Sequence, residues 1–321
     1  MTSKKSLADV KQLTNIVKKY VGLNDFGDDL TFSKYIVRIL ETLDHKHTLS
    51  YKKVVYKFLA SYLRNRLLFV DAIKNNEIYT TSPKLILIVA EARSGSTRLQ
   101  KLLSSDPQFQ FFTFDQSINP LSPNTYDMSW FSNWYEPTMD KIHRIKSNEA
   151  CENYFLLGSL GIGGSFIIGT SVNDKDIELQ VTEYKKLINI MINRYSNLER
   201  PIVLKMATND PESPTINNII KQFECKLIIS SRISAEDCMK SRINFAENYR
   251  SLSREPNYIY RNVEHGTSVE TIKRIKMENS EVVLYENMMK DPEKQLKQLY
   301  QYLGFECPDS VLQLAISGKR L

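Results

Sequence analysis

The sequence predicts an α/β fold in which a parallel sheet is flanked by helices and preceded by a helical extension. Helix-type periodicity runs through about the first 79 residues. Beyond them, short unbroken apolar runs alternate with helical patterns, as strands and helices do in βαβ units. The chain of 321 residues is long enough to bury a sizeable core. We therefore expect an N-terminal helical extension, residues 1–79, and an α/β domain, residues 80–321.

Amphipathic patterns account for the N-terminal extension. From Leu7 to Tyr20, apolar residues recur every three or four positions, and Gly22 follows as a stop signal. A second apolar stripe runs from Phe32 to Leu43, and a longer one begins at Val54 and continues toward Asn76. Three helices are the simplest interpretation of these patterns.

Four short apolar runs predict the strands. The first, residues 84–89, contains no polar residue after its initial lysine, which is typical of a parallel strand covered on both faces. The later runs have the same character, and each adjoins a helical stretch. They span residues 202–204, 226–230 and 281–285. Residues 121–200 are predicted to form loops and helices.

Composition excludes several classes of protein. Hydrophobic residues make up 42% of the chain and charged residues 25%, as in globular proteins and unlike disordered chains. The longest apolar run, Leu85 to Ala90, has six residues, whereas a membrane span needs roughly 18. The first 25 residues contain five lysines and no apolar core of a secretory signal. We expect a cytoplasmic protein with no membrane span.

The net charge and the spacing of the cysteines indicate which classes of ligand the protein can bind. Lysine and arginine number 43 against 37 acidic residues, a net charge of +6 that is spread along the chain. Such a charge suits an anionic ligand and gives no indication of nucleic-acid binding. The four cysteines have spacings that fit neither a disulfide framework nor a zinc site, so we interpret them as reduced core thiols and expect no metal.

A turn of small residues after the first strand is the strongest chemical signal. It consists of Arg93, Ser94, Gly95, Ser96 and Thr97, and an apolar helix pattern follows it. Such a turn aims backbone N–H groups and the positive end of a helix at one point, while the hydroxyls and the arginine add donors. The interpretation is a P-loop-like cradle for an oxyanion, with an ordinary helix cap as the alternative.

A nucleotide kinase would carry GxxxxGK[ST], whose lysine reaches the β and γ phosphates. This turn has one glycine and no lysine before Ser96 or Thr97. A P-loop kinase-like phosphotransferase is therefore kept only as an alternative. The turn resembles the 5′-phosphosulfate loop of sulfotransferases that use 3′-phosphoadenosine 5′-phosphosulfate (PAPS) as sulfuryl donor.

Three further segments, in the family's order, strengthen the resemblance. Residues 226–232 are similar to the strand that ends in an arginine gripping the 3′-phosphate, which implies this role for Arg232. The family's serine partner lies eight residues after the arginine. Here that position is Lys240 and a serine follows at Ser241, so both are candidates.

The remaining two segments supply Tyr285 and Lys205. Residues 282–292 resemble the family's YEDLxxDP segment, whose tyrosine packs on the adenine, and this implies that role for Tyr285. Residues 200–205 resemble the strand whose terminal lysine, here Lys205, reaches the sulfuryl group. The chain is more similar to the bacterial and protein-tyrosine type than to the cytosolic phenol and steroid type, since no histidine follows Lys205.

The resemblance implies transfer of a sulfuryl group from PAPS to a hydroxyl or amine, with adenosine 3′,5′-bisphosphate (PAP) as product and no metal. Arg93 and Lys205 would neutralise the developing charge. The general base has two candidates. Relatives place an acidic residue where Asp115 stands, and its apolar flank should raise its pKa by desolvation. His143 is the rival, whereas the other histidines are predicted to be solvated, namely His45, His47 and His265.

The acceptor is the least readable part of the prediction. An aromatic group could wall an acceptor pocket or simply belong to the core, namely Trp130, Phe131, Trp134 and Tyr135. We expect a small molecule or peptide that offers a hydroxyl. The oligomeric state stays open, with a homodimer as one alternative, and a catalytically silent nucleotide-binding protein is the alternative to an enzyme.

Overall fold

The computed structural model describes the chain in segments that fall into two compact units. The described residues are 4–27, 30–43, 47–77, 83–90, 93–121, 129, 131–139, 146–160, 177–195, 199–207, 214–234, 236–237, 240, 243 and 280–317. The first unit, here the helical unit, comprises residues 1–82, 113–197 and 249–258. The second, here the sheet unit, comprises residues 83–112, 198–248 and 259–321.

Helices form the described part of the helical unit. Numbered in chain order through the whole protein, they are α1 (Lys4–Val21), α2 (Leu30–Thr42), α3 (Leu49–Lys74), α5 (Phe114–Ile118), α6 (Glu136–Met139), α7 (Tyr154–Ser159) and α8 (Ile177–Tyr195). A π-helical turn, Phe131–Tyr135, precedes α6. The helices α1 to α3 match the periodicity of the N-terminal extension.

The long helix α3 is the core element of this unit and contacts α1, α5, α7 and the π-helical turn. It begins with a capping hydrogen bond from the backbone N–H of Tyr51 to the Thr48 hydroxyl. Its apolar stripe is fully buried at Leu59 and Leu67. Two arginines, Arg64 and Arg66, are buried within the same helix, where buried charge needs a partner.

Among the described residues, four parallel strands form the sheet of the other unit in the order β2-β1-β3-β4. They are β1 (Lys84–Ala90), β2 (Ile202–Ala207), β3 (Glu224–Ser231) and β4 (Ser280–Leu284). The register pairs Ile88 of β1 with Lys205 of β2 and with Ile228 of β3. Strand β1 is buried from Leu85 to Ala90, as its unbroken apolar sequence predicts.

Helices complete the sheet unit. They are α4 (Ser96–Ser104), α9 (Pro214–Gln222), α10 (Tyr285–Lys290), α11 (Pro292–Leu303) and α12 (Asp309–Ile316). The apolar sides of α4, α11 and α12 share one hydrophobic core with alternate residues of β1, including Ile86 and Ile88. Helix α11 ends at Gly304, which adopts a left-handed conformation as C-cap.

A buried hydrogen bond between Tyr300 and Asp106 gives a testable stability effect. The Tyr300 hydroxyl donates to Asp106 Oδ2 at 2.6 Å, and both residues are 1% exposed. Burial and the carboxylate raise the pKa of Tyr300 well above its ordinary value. Tyr300→Phe leaves the carboxylate without this donor, so it should lower the free energy of unfolding by about 1–3 kcal/mol in urea titrations.

The matched control is Tyr302→Phe. The Tyr302 hydroxyl donates to the backbone carbonyl of Leu227 at 3.1 Å, and Tyr302 is only partly buried. Because water can replace that donor, the loss should be smaller. A loss as large as that of Tyr300→Phe would contradict this account.

The α/β fold, the parallel sheet and the N-terminal helices are confirmed. The boundary between residues 79 and 80 stays a prediction about domains, whereas contacts group residues 1–82 with 113–197. His47 was expected to be solvated, and this is wrong, since His47 is 6% exposed and stacks on Tyr51 with ring centroids 5.1 Å apart. In the described part of the chain, no helix combines the length and the apolar character of a membrane span.

Candidate active site

The predicted donor-binding residues follow adjacent strand ends of the sheet unit. Strand β1 ends at Ala90, which pairs with Ser230 of β3, and Ser231 pairs with Leu284 at the end of β4. The turn from Arg93 to Thr97, here the phosphate loop, follows β1, and Arg232 and Tyr285 come directly after β3 and β4. Parallel strands place their carboxyl ends at one edge of a sheet, and that edge is the usual ligand site of open α/β sheets.

The phosphate loop has a constrained backbone. Gly95, the N-cap of α4, adopts φ +84°, and Arg93 adopts φ +73°, which is uncommon for a residue with a side chain. Arg93 is exposed. Helix α4 begins at Ser96, and the first backbone N–H groups of a helix have no partner within it. The loop can therefore present several N–H donors and one guanidinium to an anion.

The three hydroxyls of the loop differ in their surroundings. Ser94 is 1% exposed, its Oγ lies 3.4 Å from Ser230 Oγ, and the Ser230 hydroxyl donates to the Ser94 carbonyl at 3.3 Å. This contact ties the loop to β3, so Ser94 can reach a ligand through its backbone more readily than through its hydroxyl. Ser96 is buried at 6% exposure, and Thr97 is partly buried.

Lys205 lies beneath the start of α4. It is 1% exposed, and its Nζ donates to Thr97 Oγ1 at 2.9 Å. Since Lys205 is two residues from Val203 on β2, both side chains point to the face of the sheet on which α4 packs. A positive charge from β2 is thus supplied to the loop, which has no lysine of its own.

Tyr285, Gly95 and Arg232 are packed together. A Cβ placed on Gly95 would lie 2.2 Å from Tyr285 Cδ2, so the tyrosine ring occupies the space that a side chain would need. The Arg232 guanidinium lies over the same ring, with Cζ 4.6 Å from its centroid, in cation–π geometry. The Nε of Arg232 is buried and has no hydrogen-bond partner among the described residues.

A buried, unpaired guanidinium N–H is costly unless a ligand accepts it. The arrangement therefore suits a phosphate oxygen beside the Arg232 Nε. These residues offer hydrogen-bond donors and positive charge to an anionic ligand.

Glu286 supports the candidate site through a contact that the sequence did not predict. Its Oε2 accepts the backbone N–H of Ile233 at 2.9 Å. This bond ties the turn after Arg232 to the start of α10. The only sequence signal was its place beside Tyr285 in the motif, because the partner lies 53 residues away.

The other two candidates for binding the 3′-phosphate are Lys240 and Ser241, and the structure describes the first of them. Lys240 is exposed and forms an ion pair with Glu236 one helical turn earlier, with N···O 2.7 Å. Ser241 lies outside the described residues, and so does the candidate base His143. The roles of all three stay predictions.

Asp115 belongs to the helical unit and lies in the short helix α5. A capping box between Thr113 and Gln116 starts this helix, and the Asp115 N–H donates to the carbonyl of Ser147 at 2.9 Å. Burial raises the pKa of Asp115 above its usual value, while a hydrogen bond from Asn119 and the charge of Arg64 lower it. The net rise favours a carboxylate that can take up a proton.

The aromatic residues proposed for an acceptor pocket divide into two groups. Phe131 and Tyr135 are 1% exposed and stack at 4.7 Å, and Phe114 packs on both rings. They form part of the core of the helical unit. Trp134 is partly buried, with the Nζ atoms of Lys53 and Lys57 over its ring, and Trp130 lies outside the described residues.

A parallel sheet whose first strand leads through a small-residue loop into a helix, with cationic side chains at that loop, defines an α/β protein of P-loop-like architecture with a loop suited to an anion. The chain belongs to the sulfotransferase family, whose model, described as "Sulfotransferase family", matches residues 83–309. This confirms the family that the motifs indicated and identifies a transferase of the sulfotransferase class.

Solved structures agree on the fold. The sulfotransferase STF1 from Mycobacterium tuberculosis H37Rv is 18% identical with a TM-score of 0.69, over 97% of this chain and 93% of that chain. The sulfotransferase STF9 from Mycobacterium avium is 15% identical with the same TM-score, over 99% of this chain and 87% of that chain. A search of curated proteins found no match.

Proposed function

We propose that the protein transfers a sulfuryl group from PAPS to a hydroxyl, or an amine, of an acceptor, with Asp115 as general base. The observation that carries the donor assignment is Arg232, whose guanidinium lies over Tyr285 with a buried, unpaired Nε. A 3′-phosphate satisfies that Nε, and an adenine suits the tyrosine ring. The phosphate loop next to them then holds the 5′-phosphosulfate.

In the proposed transfer, separate residues stabilise charge and accept the proton. PAPS supplies an activated sulfuryl group. The acceptor oxygen forms a bond to sulfur as the bond between sulfur and the 5′-phosphate oxygen breaks, and the released electron pair stays on that phosphate. Arg93 and Lys205 stabilise the charge on the transferring group and on the phosphate. Asp115 takes the proton of the acceptor hydroxyl.

Incubation with 35S-labelled PAPS in the presence of EDTA tests this function. The acceptor panel should contain phenols, aliphatic alcohols, sugars, amines and peptides with serine or tyrosine. We expect label on at least one acceptor and an equal amount of PAP. PAP binding with no transfer to any acceptor class would favour the silent nucleotide-binding alternative.

Asp115→Asn should lower turnover at least about tenfold, because an amide cannot accept the proton, and general bases contribute typically 10²- to 10⁴-fold. The affinity for PAP should stay at the wild-type value, because the donor-binding residues are unchanged. Turnover is measured with the acceptor found in the panel, and the affinity by calorimetry.

Asp71→Asn is the matched control, since Asp71 is a carboxylate of the same unit that accepts a hydrogen bond from Asn75, the C-cap of α3. It should retain wild-type turnover. Full turnover of Asp115→Asn would instead transfer the base role to His143 or to water, and His143→Gln would then decide between these two.

A further inference from the structure

A chain of buried hydrogen bonds connects the N-terminal helix α3 to the candidate base. Arg64, 7% exposed, donates from Nη1 to Asn119 Oδ1 at 3.0 Å. Asn119 is fully buried and donates from Nδ2 to Asp115 Oδ1 at 3.0 Å. The Asn119 backbone N–H also donates to the Asp115 carbonyl at 2.8 Å. All three residues lie in the helical unit.

The hydrogen-bonding chemistry of arginine determines the direction of these hydrogen bonds. A guanidinium has only donors, whereas an amide side chain has one acceptor end and one donor end. Arg64 therefore holds the Asn119 oxygen toward itself and leaves the Nδ2 end for Asp115. A neighbour able to accept a hydrogen bond would allow the amide to turn over, and Asp115 would then face an oxygen.

The two carboxylate oxygens of Asp115 consequently differ. Oδ1 accepts the bond from Asn119, while Oδ2 has no hydrogen-bond partner among the residues that the structure describes. Binding of a donor disfavours protonation of the oxygen that accepts it. A proton arriving at this carboxylate is thus directed to Oδ2.

We infer that Arg64 and Asn119 are positioning residues that hold Asp115 through Oδ1 and leave Oδ2 as the oxygen that accepts the proton. The inference rests on the proposed function, in which Asp115 is the base. Neighbouring Asn65 supports the same segment, because its Nδ2 donates to the carbonyl of Ile118 at 2.7 Å and to Ser159 Oγ at 2.9 Å. Helix α3 thereby supports α5 at two consecutive side chains.

Two charged or titratable side chains among the described residues face Asp115. Arg64 faces it from α3, and Tyr195, itself bonded to Arg194, faces it from the end of α8. Arg64 lowers the pKa of Asp115 by its charge. The Asn119 amide, which Arg64 orients, lowers the same pKa by its hydrogen bond. Replacing Arg64 by a neutral residue removes the first effect and releases the amide that provides the second. Both changes raise the pKa of Asp115.

Carboxyl NMR of the protein labelled with 13C at aspartate provides the readout, with the Asp115 signal assigned as the one absent from Asp115→Asn. Arg64→Gln should raise the pKa of Asp115 by about one unit. The acidic limb of the pH–rate profile should move to higher pH by the same amount, because the base works only when deprotonated. Arg64→Lys keeps a charged donor and should stay near the wild-type pKa.

Arg66→Gln is the matched control on the same helix. Arg66 is also buried, and it pairs with Glu183 Oε2 at 2.7 Å instead of with Asn119. It should lower stability without moving the pKa of Asp115. An unchanged pKa in Arg64→Gln, or an equal shift in both variants, would overturn the inference. If Arg64→Gln does not fold, Asn119→Ser removes the same donor and should raise the pKa as well.

Failure of the inference and failure of the proposed function give different results. Sulfuryl transfer with full turnover of Asp115→Asn, or with no pKa shift in Arg64→Gln, overturns the positioning role and leaves the transferase activity standing. Absence of transfer from PAPS to every acceptor class overturns the proposed function itself.

Discussion

Arg232→Ala should weaken PAP binding by about 2 to 4 kcal/mol, roughly 30- to 1,000-fold, while barely changing the affinity for 5′-AMP. The reason is the hydrogen bond that we propose between this guanidinium and the 3′-phosphate. Arg232 lies over the ring of Tyr285, and its buried Nε has no partner among the described residues. In the proposed donor site the 3′-phosphate of PAP would supply that partner, and 5′-AMP has no 3′-phosphate. Calorimetric titrations of both nucleotides measure the difference.

Arg200→Ala provides the control for this variant. Arg200 is exposed, precedes β2 in the same unit, and donates to the backbone carbonyl of Pro107 at 3.0 Å. Its removal lowers the positive charge by the same amount and should leave both affinities unchanged. An equal loss of PAP and 5′-AMP affinity in Arg232→Ala would refute the 3′-phosphate assignment.

Gly95→Ala should weaken PAP binding by about 10- to 100-fold. At φ +84° an alanine is strained, at about 1–3 kcal/mol for a residue held in this region. Its Cβ would also lie 2.2 Å from Tyr285 Cδ2. Relief of that contact requires the loop or the ring to move, and both belong to the proposed donor site. The variant is assayed by PAP calorimetry and by its unfolding temperature.

Gly304→Ala separates backbone strain from the contact with Tyr285. Gly304 adopts φ +83°, nearly the same as Gly95, but no atom lies within 4 Å of its would-be Cβ. It is the C-cap of α11 in the same unit. This variant should lose stability and retain its PAP affinity. Wild-type PAP affinity in Gly95→Ala would show that the loop does not bind the donor in this way.

The strands could be predicted from the sequence because each one is a short local run of apolar residues. The run predicted at residues 84–89 corresponds to Lys84–Ala90, and that at residues 226–230 to Glu224–Ser231. The strand order β2-β1-β3-β4 has no local signal, since it depends on which strands the crossover connections bring side by side. The loop of Arg93 to Thr97 is likewise readable, because its residues are contiguous.

Contacts between distant segments account for what the sequence could not predict. The Arg64–Asn119 hydrogen bond joins residues 55 positions apart, and the two serines at the phosphate loop are 136 positions apart. His47 illustrates the same limit, because its polar sequence neighbours suggest exposure while its ring is buried against Tyr51. The polar residues that interrupt the apolar stripe of α3 were the one signal that could have drawn attention to Arg64.

Calorimetric titration with PAP, beside 5′-AMP and ATP and without added metal, tests the central claim most directly. The account predicts that PAP binds at least about tenfold more tightly than 5′-AMP, because a charge-assisted hydrogen bond to the 3′-phosphate contributes about 1.5–3 kcal/mol. It also predicts that ATP binds more weakly than PAP. A preference for ATP, or no binding of any of the three, would contradict the assignment of a PAPS site to the phosphate loop, Arg232 and Tyr285.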